Sequence, residues 1–136
     1  MRRDVMEMWV KALRSGNYSQ TKECLYDSKG MCCLGVLCDI YTQGREGWAE
    51  WDLCDEEERV DDHGNTEDYA QWSMFDNHET LPCEVREWAN IKHSDGSFET
   101  EGCDGTQYTE SLALLNDKGY TFNDLADIIE KKWSNL

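Results

Sequence analysis

Basic residues are scarce in this chain: 13 Lys and Arg stand against 29 Asp and Glu over 136 residues, a net charge of −16. A field of that sign repels phosphate backbones, so direct binding to DNA or RNA is not expected. Long apolar runs are also missing. None approaches the roughly 20 residues that span a bilayer. The opening MRRDVMEMWV interrupts its apolar residues with charge, where a secretory signal needs an unbroken run. No membrane association is expected. With one proline, no internal repeat and no low-complexity linker, the chain reads as a single domain over residues 1–136. Zinc-type C-x2-C pairs are absent among the seven cysteines, and their number is odd. Reduced, buried thiols fit better than a disulfide framework.

What is present begins with Met31 to Tyr41, MCCLGVLCDIY, the one long apolar run. Only Asp39 is charged in it, so a helix there would be buried nearly all round. As a strand the run would be weakened by Gly35 at its middle. It predicts a buried central helix over about residues 31–42.

Outer helices are expected on either side of it. Met6, Trp9, Val10 and Leu13 form one helical stripe over about 4–15, closed by Gly16. Thr80-Leu81-Pro82 opens a helix over about 82–90, since proline is tolerated in a first turn, with Val85, Trp88 and Ala89 as its buried stripe. A short helix over about 109–118 ends at Gly119. The last, over about 121–134, carries Thr121 as its cap, Asp124 three residues on, and Phe122, Leu125, Ala126, Ile129 and Trp133 on one face. Short strands are expected near Glu23 to Tyr26, in the aromatic patch Tyr69 to Phe75, and as a small hairpin within 92–108. The sum is an α+β, helix-dominated domain.

The acid is not spread evenly. Residues 1–45 carry a net +2, residues 105–136 a net −2, and residues 46–104 hold 19 carboxylates against three basic residues. Within this middle segment, residues 44–80 read as an acidic excursion interleaved with Trp48, Trp51, Tyr69, Trp72 and Phe75. A solvated loop would account for the charge alone. Aromatic anchors ringed by charge are instead the composition of a binding surface. The expected partner-binding set is Glu46, Trp48, Trp51, Asp55, Glu56, Glu57, Glu58, Asp61, Asp62 and Trp72. Carboxylates along an exposed face can also stand in for phosphates in the basic groove of a nucleic-acid enzyme.

Four segments, WVKALRSGNYSQ, MCCLGVLCDIY, LPCEVREWANI and LALLNDKGYTFNDLADIIE, together resemble a family of small bacteriophage and prophage proteins with a CCLGVLCD-type motif. The resemblance implies expression in the cytoplasm of an infected bacterial host, and it transfers no catalytic residue. The function expected from charge and resemblance together is a non-enzymatic accessory protein. It would bind and inhibit a basic host protein, such as a nucleic-acid-processing or anti-phage defence enzyme. No cofactor is expected.

Three other readings compete. A sponge for a nucleotide signal would need stacking aromatics beside cations, for which Arg2, Arg3, Arg14, Lys22, Arg45 and Arg86 are available. Cys33-Leu34-Gly35-Val36-Leu37 resembles the nucleophile region of papain-like cell-wall peptidases, with Cys33 at a helix start and His63 as one candidate base. A metal site would have to be gathered from Cys24, Cys32, Cys33 and Cys38. The last two helices also have the spacing of a helix-turn-helix, but acidic Asp124, Asp127 and Glu130 occupy the face that would read bases, which favours an ordinary helical hairpin.

Overall fold

The structure is a computed structural model that describes residues 1–45 and 47–136. Its elements run in the order α1 (Arg3–Arg14), β1 (Tyr26–Asp27), β2 (Gly30–Met31), α2 (Cys33–Thr42), β3 (Asp52–Val60), β4 (Thr66–Ser73), α3 (Cys83–Ala89), β5 (Ser97–Glu101), β6 (Gln107–Ser111), α4 (Leu112–Asp117) and α5 (Phe122–Lys132), closed by a 3-10 turn, Trp133–Asn135. Four strands make one antiparallel sheet in the order β2-β1-β4-β3, and β5 and β6 make a second. This is a small α+β domain with helices in the majority.

The central helix is α2, and eight of its ten residues are buried. It starts at Cys33, later than the sequence pattern indicates, because Met31 is taken into β2 and Cys32 becomes the cap, its thiol accepting from the Gly35 N–H at 3.4 Å. A turn of the chain running past α2 fixes its position. Gly35 lies against the Leu25 carbonyl, which itself accepts from the Cys32 N–H at 3.1 Å. The Trp9 indole on α1 donates to the Cys33 carbonyl at 2.8 Å. Fully buried Asn116 on α4 accepts from the Cys33 N–H at 3.1 Å and donates to the Thr21 carbonyl at 2.8 Å. Two segments distant in sequence, at Leu25 and Asn116, therefore satisfy free N–H groups of this helix start, which would otherwise be costly to bury, and Trp9 adds a third tie at the Cys33 carbonyl.

Helix α1 lays Val5, Met6, Trp9, Val10 and Leu13 on the core, the stripe seen in its sequence. Its outer edge is tied to α5 by Arg14, which donates to Asp127 at 2.6 Å and Glu130 at 2.8 Å. Both carboxylates are paired to α1 while their side chains stay 64% and 54% exposed. Helix α5 carries the full reciprocal cap: the Thr121 hydroxyl accepts from the Asp124 N–H, and the Asp124 carboxylate from the Thr121 N–H.

Two further boundaries differ from the sequence pattern. The helix expected over 109–118 begins only at Leu112, because Thr109 to Ser111 pair with Ser97 to Glu99 in the β5–β6 hairpin. The strand expected near Glu23 to Tyr26 begins at Tyr26. The largest difference lies in the acidic excursion. Asp52 to Val60 forms a nine-residue strand in register with Thr66 to Ser73. A sequence with four consecutive carboxylates has low strand propensity. Here the ladder is templated by β4, which is itself anchored to β1 through Tyr26↔Trp72 and Asp27↔Gln71.

Candidate partner-binding surface

All nine residues of β3, the outer strand of the β3–β4 hairpin, are exposed. Its turn is made by Asp61, whose carboxylate accepts from the His63 and Asn65 backbone N–H groups at 2.9 and 2.8 Å while Gly64 takes a positive φ of 81°. Between Asp52 and Ser73 the hairpin carries nine carboxylates and one arginine, Arg59.

Register sorts those charges onto two faces, because residues directly opposite in an antiparallel pair share a side. The inner face carries Glu57 opposite Tyr69 and Arg59 opposite Glu67. Arg59 lies over the Tyr69 ring at 3.4 Å and pairs with Glu57, so the single cation of the hairpin is spent there. Tyr69 is buried, and its hydroxyl donates to the buried Asp27 carboxylate at 3.1 Å, beside the Thr21 hydroxyl at 2.9 Å. Burial raises the Tyr69 hydroxyl pKa, and nearby Asp27 raises it further. This face holds the hairpin to the body.

The outer face carries Glu56 opposite Ala70, Glu58 opposite Asp68, and Val60 opposite Thr66. Glu58 and Asp68 are therefore like charges set side by side. At the base of the same face, Leu53 lies opposite Trp72, and Trp72 opposite Tyr26. The Trp72 and Tyr26 rings stack at 4.4 Å and 20°, with Trp51 edge-on to Tyr26 at 5.2 Å. The face thus runs from an aromatic base to an acidic tip, with half-exposed Leu53 and largely exposed Val60 on it.

The residues expected to bind a partner separate on this geometry. Glu56 and Glu58 lie on the outer face, exposed Asp62 at the tip, and Trp51 and Trp72 at the aromatic base. Asp55 and Glu57 fall on the inner face, and Asp61 is occupied in the turn. Trp48 is exposed but belongs elsewhere, tilted against Tyr41 at 5.7 Å and edge-on to Phe75. Glu46 lies outside the described residues. Asp68 and Tyr26 join the set, and sequence reading missed both. The register of a two-residue strand decides the placement of Tyr26, and periodicity carries no signal for that.

The four cysteines considered as nucleophile or metal ligands, Cys24, Cys32, Cys33 and Cys38, are all buried. Cys33 is fully buried at the start of α2, its thiol 3.7 Å from the Leu112 carbonyl, and burial drives its pKa well above the ordinary thiol value. Helix-start placement lowers a thiol pKa only where the thiolate is solvated or paired; here desolvation outweighs it. His63 sits exposed in the hairpin turn and makes no pair with Cys33. Burial likewise pushes Cys32 up to about 11, and burial followed by the neighbouring Asp27 pushes Cys24 up to about 12. Among the described residues no three His, Cys, Asp or Glu side chains converge as metal ligands, so Cys24, Cys32, Cys33 and Cys38 act as core residues. Cys54, Cys83 and Cys103 are exposed, which corrects the expectation that all seven thiols are buried. Nor is any described helix long and apolar enough to cross a membrane.

No curated protein and no solved structure matches the chain. A family model described as a domain of unknown function, DUF8296, matches residues 1–133, and the chain belongs to that family.

Proposed function

We propose that the protein is a non-enzymatic binding protein whose outer hairpin face engages a basic partner protein. The observation that carries this reading is the pairing of Glu58 with Asp68 on a face to which β3 and β4 contribute no cation, continuous with the Tyr26–Trp72 stack, beside which Lys29 lies. Like charges directly opposite destabilise a ladder. A solvating surface gains nothing from setting them side by side on an exposed strand. A cationic partner relieves the repulsion on binding, and the aromatic base gives it an apolar anchor. Glu56 and Glu58, two residues apart on one strand, stand about 6.7 Å apart. With Asp68 beside Glu58 and Asp62 at the tip, this anionic cluster suits a basic groove. The resemblance to bacteriophage proteins makes a host nucleic-acid-processing or defence enzyme, met in the host cytoplasm, the partner class of choice.

The test replaces Glu56, Glu58, Asp62 and Asp68 together with Gln or Asn and compares capture of basic host proteins by this variant and by the wild type. The variant should fold and lose the partner, and wild-type complexes should dissociate with added salt. A partner retained equally by both chains at high salt would remove the hairpin from the interaction.

A further inference from the structure

Strand β3 lies at the edge of its sheet, and among the described residues no strand pairs with its outer side. An unpaired edge presents a row of free N–H and C=O groups, and proteins blunt such rows with short strands, proline, bulges or charge. Strand β3 is nine residues long and holds no proline, and its one bulge sits at the base, between Leu53 and Asp55. From Asp55 to Val60 the edge runs regularly, with charge as its guard.

Two hydrogen bonds fix which backbone groups face outward. Opposite residues of an antiparallel ladder alternate between pairs that exchange hydrogen bonds and pairs that do not. At the tip the Asp61 N–H donates to the Asn65 carbonyl at 2.8 Å, which makes Asp61 a bonded position and, counting back by twos, Arg59, Glu57 and Asp55 as well. On the far side of β4 the Ser28 N–H donates to the Ala70 carbonyl at 2.9 Å, so even-numbered β4 residues turn towards β1. Odd-numbered ones, the partners of Asp55, Glu57 and Arg59, turn towards β3. The two counts agree. The N–H and C=O groups of Glu56, Glu58 and Val60 therefore point away from β4, and the side chains of the same three residues line the outer face.

We propose, resting on the reading that this face engages a basic partner, that the partner supplies an extended cationic segment which adds to β3 as a fifth strand of the sheet. Main-chain bonds to Glu56, Glu58 and Val60 give the pairing, and alternate side chains give the selection. A residue opposite Glu56 or Glu58 shares the outer face with that carboxylate, and Asp68 lies beside Glu58 on it. Arg or Lys at two such positions is matched there, and Asp or Glu is repelled. Opposite Val60, which is 70% exposed, an apolar or β-branched residue fits. A second copy of β3 is refused, since it would set carboxylate against carboxylate. Charge on this edge thus selects an incoming strand by sign.

The experiment titrates the full chain with the end-blocked peptide Thr-Val-Thr-Arg-Thr-Arg-Thr, which in antiparallel register sets Val against Val60 and its two Arg against Glu58 and Glu56. Two N-methylated forms of equal charge are compared with it. In one the methyl groups sit on the Val and first Arg nitrogens, which face β3; in the other they sit on the two central Thr nitrogens, which face away. The parent and the Thr-methylated form should bind alike, and the Val/Arg-methylated form roughly tenfold weaker or worse. Amide hydrogen exchange of the wild type should slow at Glu56, Glu58 and Val60 when the parent peptide binds. Val60→Pro, which removes one outward donor and no charge, should weaken the peptide several-fold. Binding indifferent to methyl placement, or without protection of those three amides, overturns strand addition and leaves the acidic face as a side-chain contact. Absence of binding at millimolar parent peptide overturns it too. The acidic face itself is judged separately, by capture of host proteins with the neutralised hairpin, and the exchange measurement needs no variant.

Discussion

Replacing Gly35 by alanine tests the packing that the whole fold depends on, because two opposing effects are of known size. In an ordinary helix interior the change gains up to about 1 kcal/mol, since alanine loses less backbone freedom than glycine. At Gly35 an added Cβ would lie 2.8 Å from the Leu25 carbonyl carbon and 3.2 Å from Met31 Cβ, and would press directly on the Leu25 carbonyl oxygen. Ordinary contact begins at 3.4 Å. Neither neighbour is a flexible side-chain end, and α2 is held from three other directions by Trp9, Asn116 and the Leu112 carbonyl. Relief therefore means moving backbone. Overpacking of this kind costs about 1–3 kcal/mol or more. Prying Leu25 away also loses the bond from the Cys32 N–H, about 1 kcal/mol. The clash wins, and Gly35→Ala should be destabilised by about 2–3 kcal/mol, a fall of roughly 10 °C in Tm for a domain of this size. Urea unfolding followed by tryptophan fluorescence measures it. A variant as stable as the wild type, or more so, would refute the close approach of α2 to the Leu25 segment.

The remaining predictions address charge, thiols, capping and pH. Glu58→Gln/Asp68→Asn should raise the Tm at low ionic strength, with the gain shrinking as salt is added; an unchanged or lower Tm at low salt contradicts the side-by-side placement. Iodoacetamide on the native protein should label Cys54, Cys83 and Cys103 quickly and Cys33 and Cys38 only after unfolding; rapid native labelling of Cys33 would restore it as a nucleophile. Thr121→Ala should cost about 1 kcal/mol by removing the cap of α5, and Thr121→Ser should keep most of it, both read from urea midpoints. The buried thiols have folded pKa values raised above their unfolded value of about 8.5. Their contribution is complete below that pH and is lost as pH rises through the folded values, about 11 for Cys32 and about 12 for Cys24. Tm should be level from neutrality to pH 8 and fall above about pH 9, and Cys32→Ala/Cys24→Ala should flatten the decline.

Helix positions were legible wherever one face is apolar. The stripes of α1 and α5 and the all-round burial of α2 appear in residue spacing alone, and the Thr121–Asp124 cap appears in its motif. Sequence reading failed where a partner segment overrides local preference. Asp52 to Val60 has the composition of a solvated loop and forms a strand because β4 offers a ladder. Thr109 to Ser111 continue a helical pattern and are drawn into β6 by Ser97 to Glu99. Asn116 gave no signal, since its role depends on meeting Thr21 and Cys33 in space. The acidic surface was legible as composition but not as geometry. Which carboxylates face outward follows from register, and register here is set by Tyr26 pairing with Trp72.

That register also bears on why β3 survives as an edge. A nine-residue strand with one side unpaired is a template for pairing with another chain, and natural sheets blunt such edges with charge. Asp55 to Glu58 serve that end, since two copies approaching along β3 would bring eight carboxylates together. Edge protection needs charge on the strand, and β4 is itself open at Asp68, since β1 pairs with it only at Gln71 and Trp72. A Lys there would protect that edge equally and relieve the cross-strand repulsion. Edge protection thus accounts for a charge at Asp68 but not for its sign opposite Glu58, and partner binding accounts for the sign. Asp68→Lys should accordingly stabilise the hairpin and leave the sedimentation behaviour of the chain unchanged, yet abolish capture of a basic partner. Retention of that partner by Asp68→Lys would reduce the acidic face to a guard against self-association.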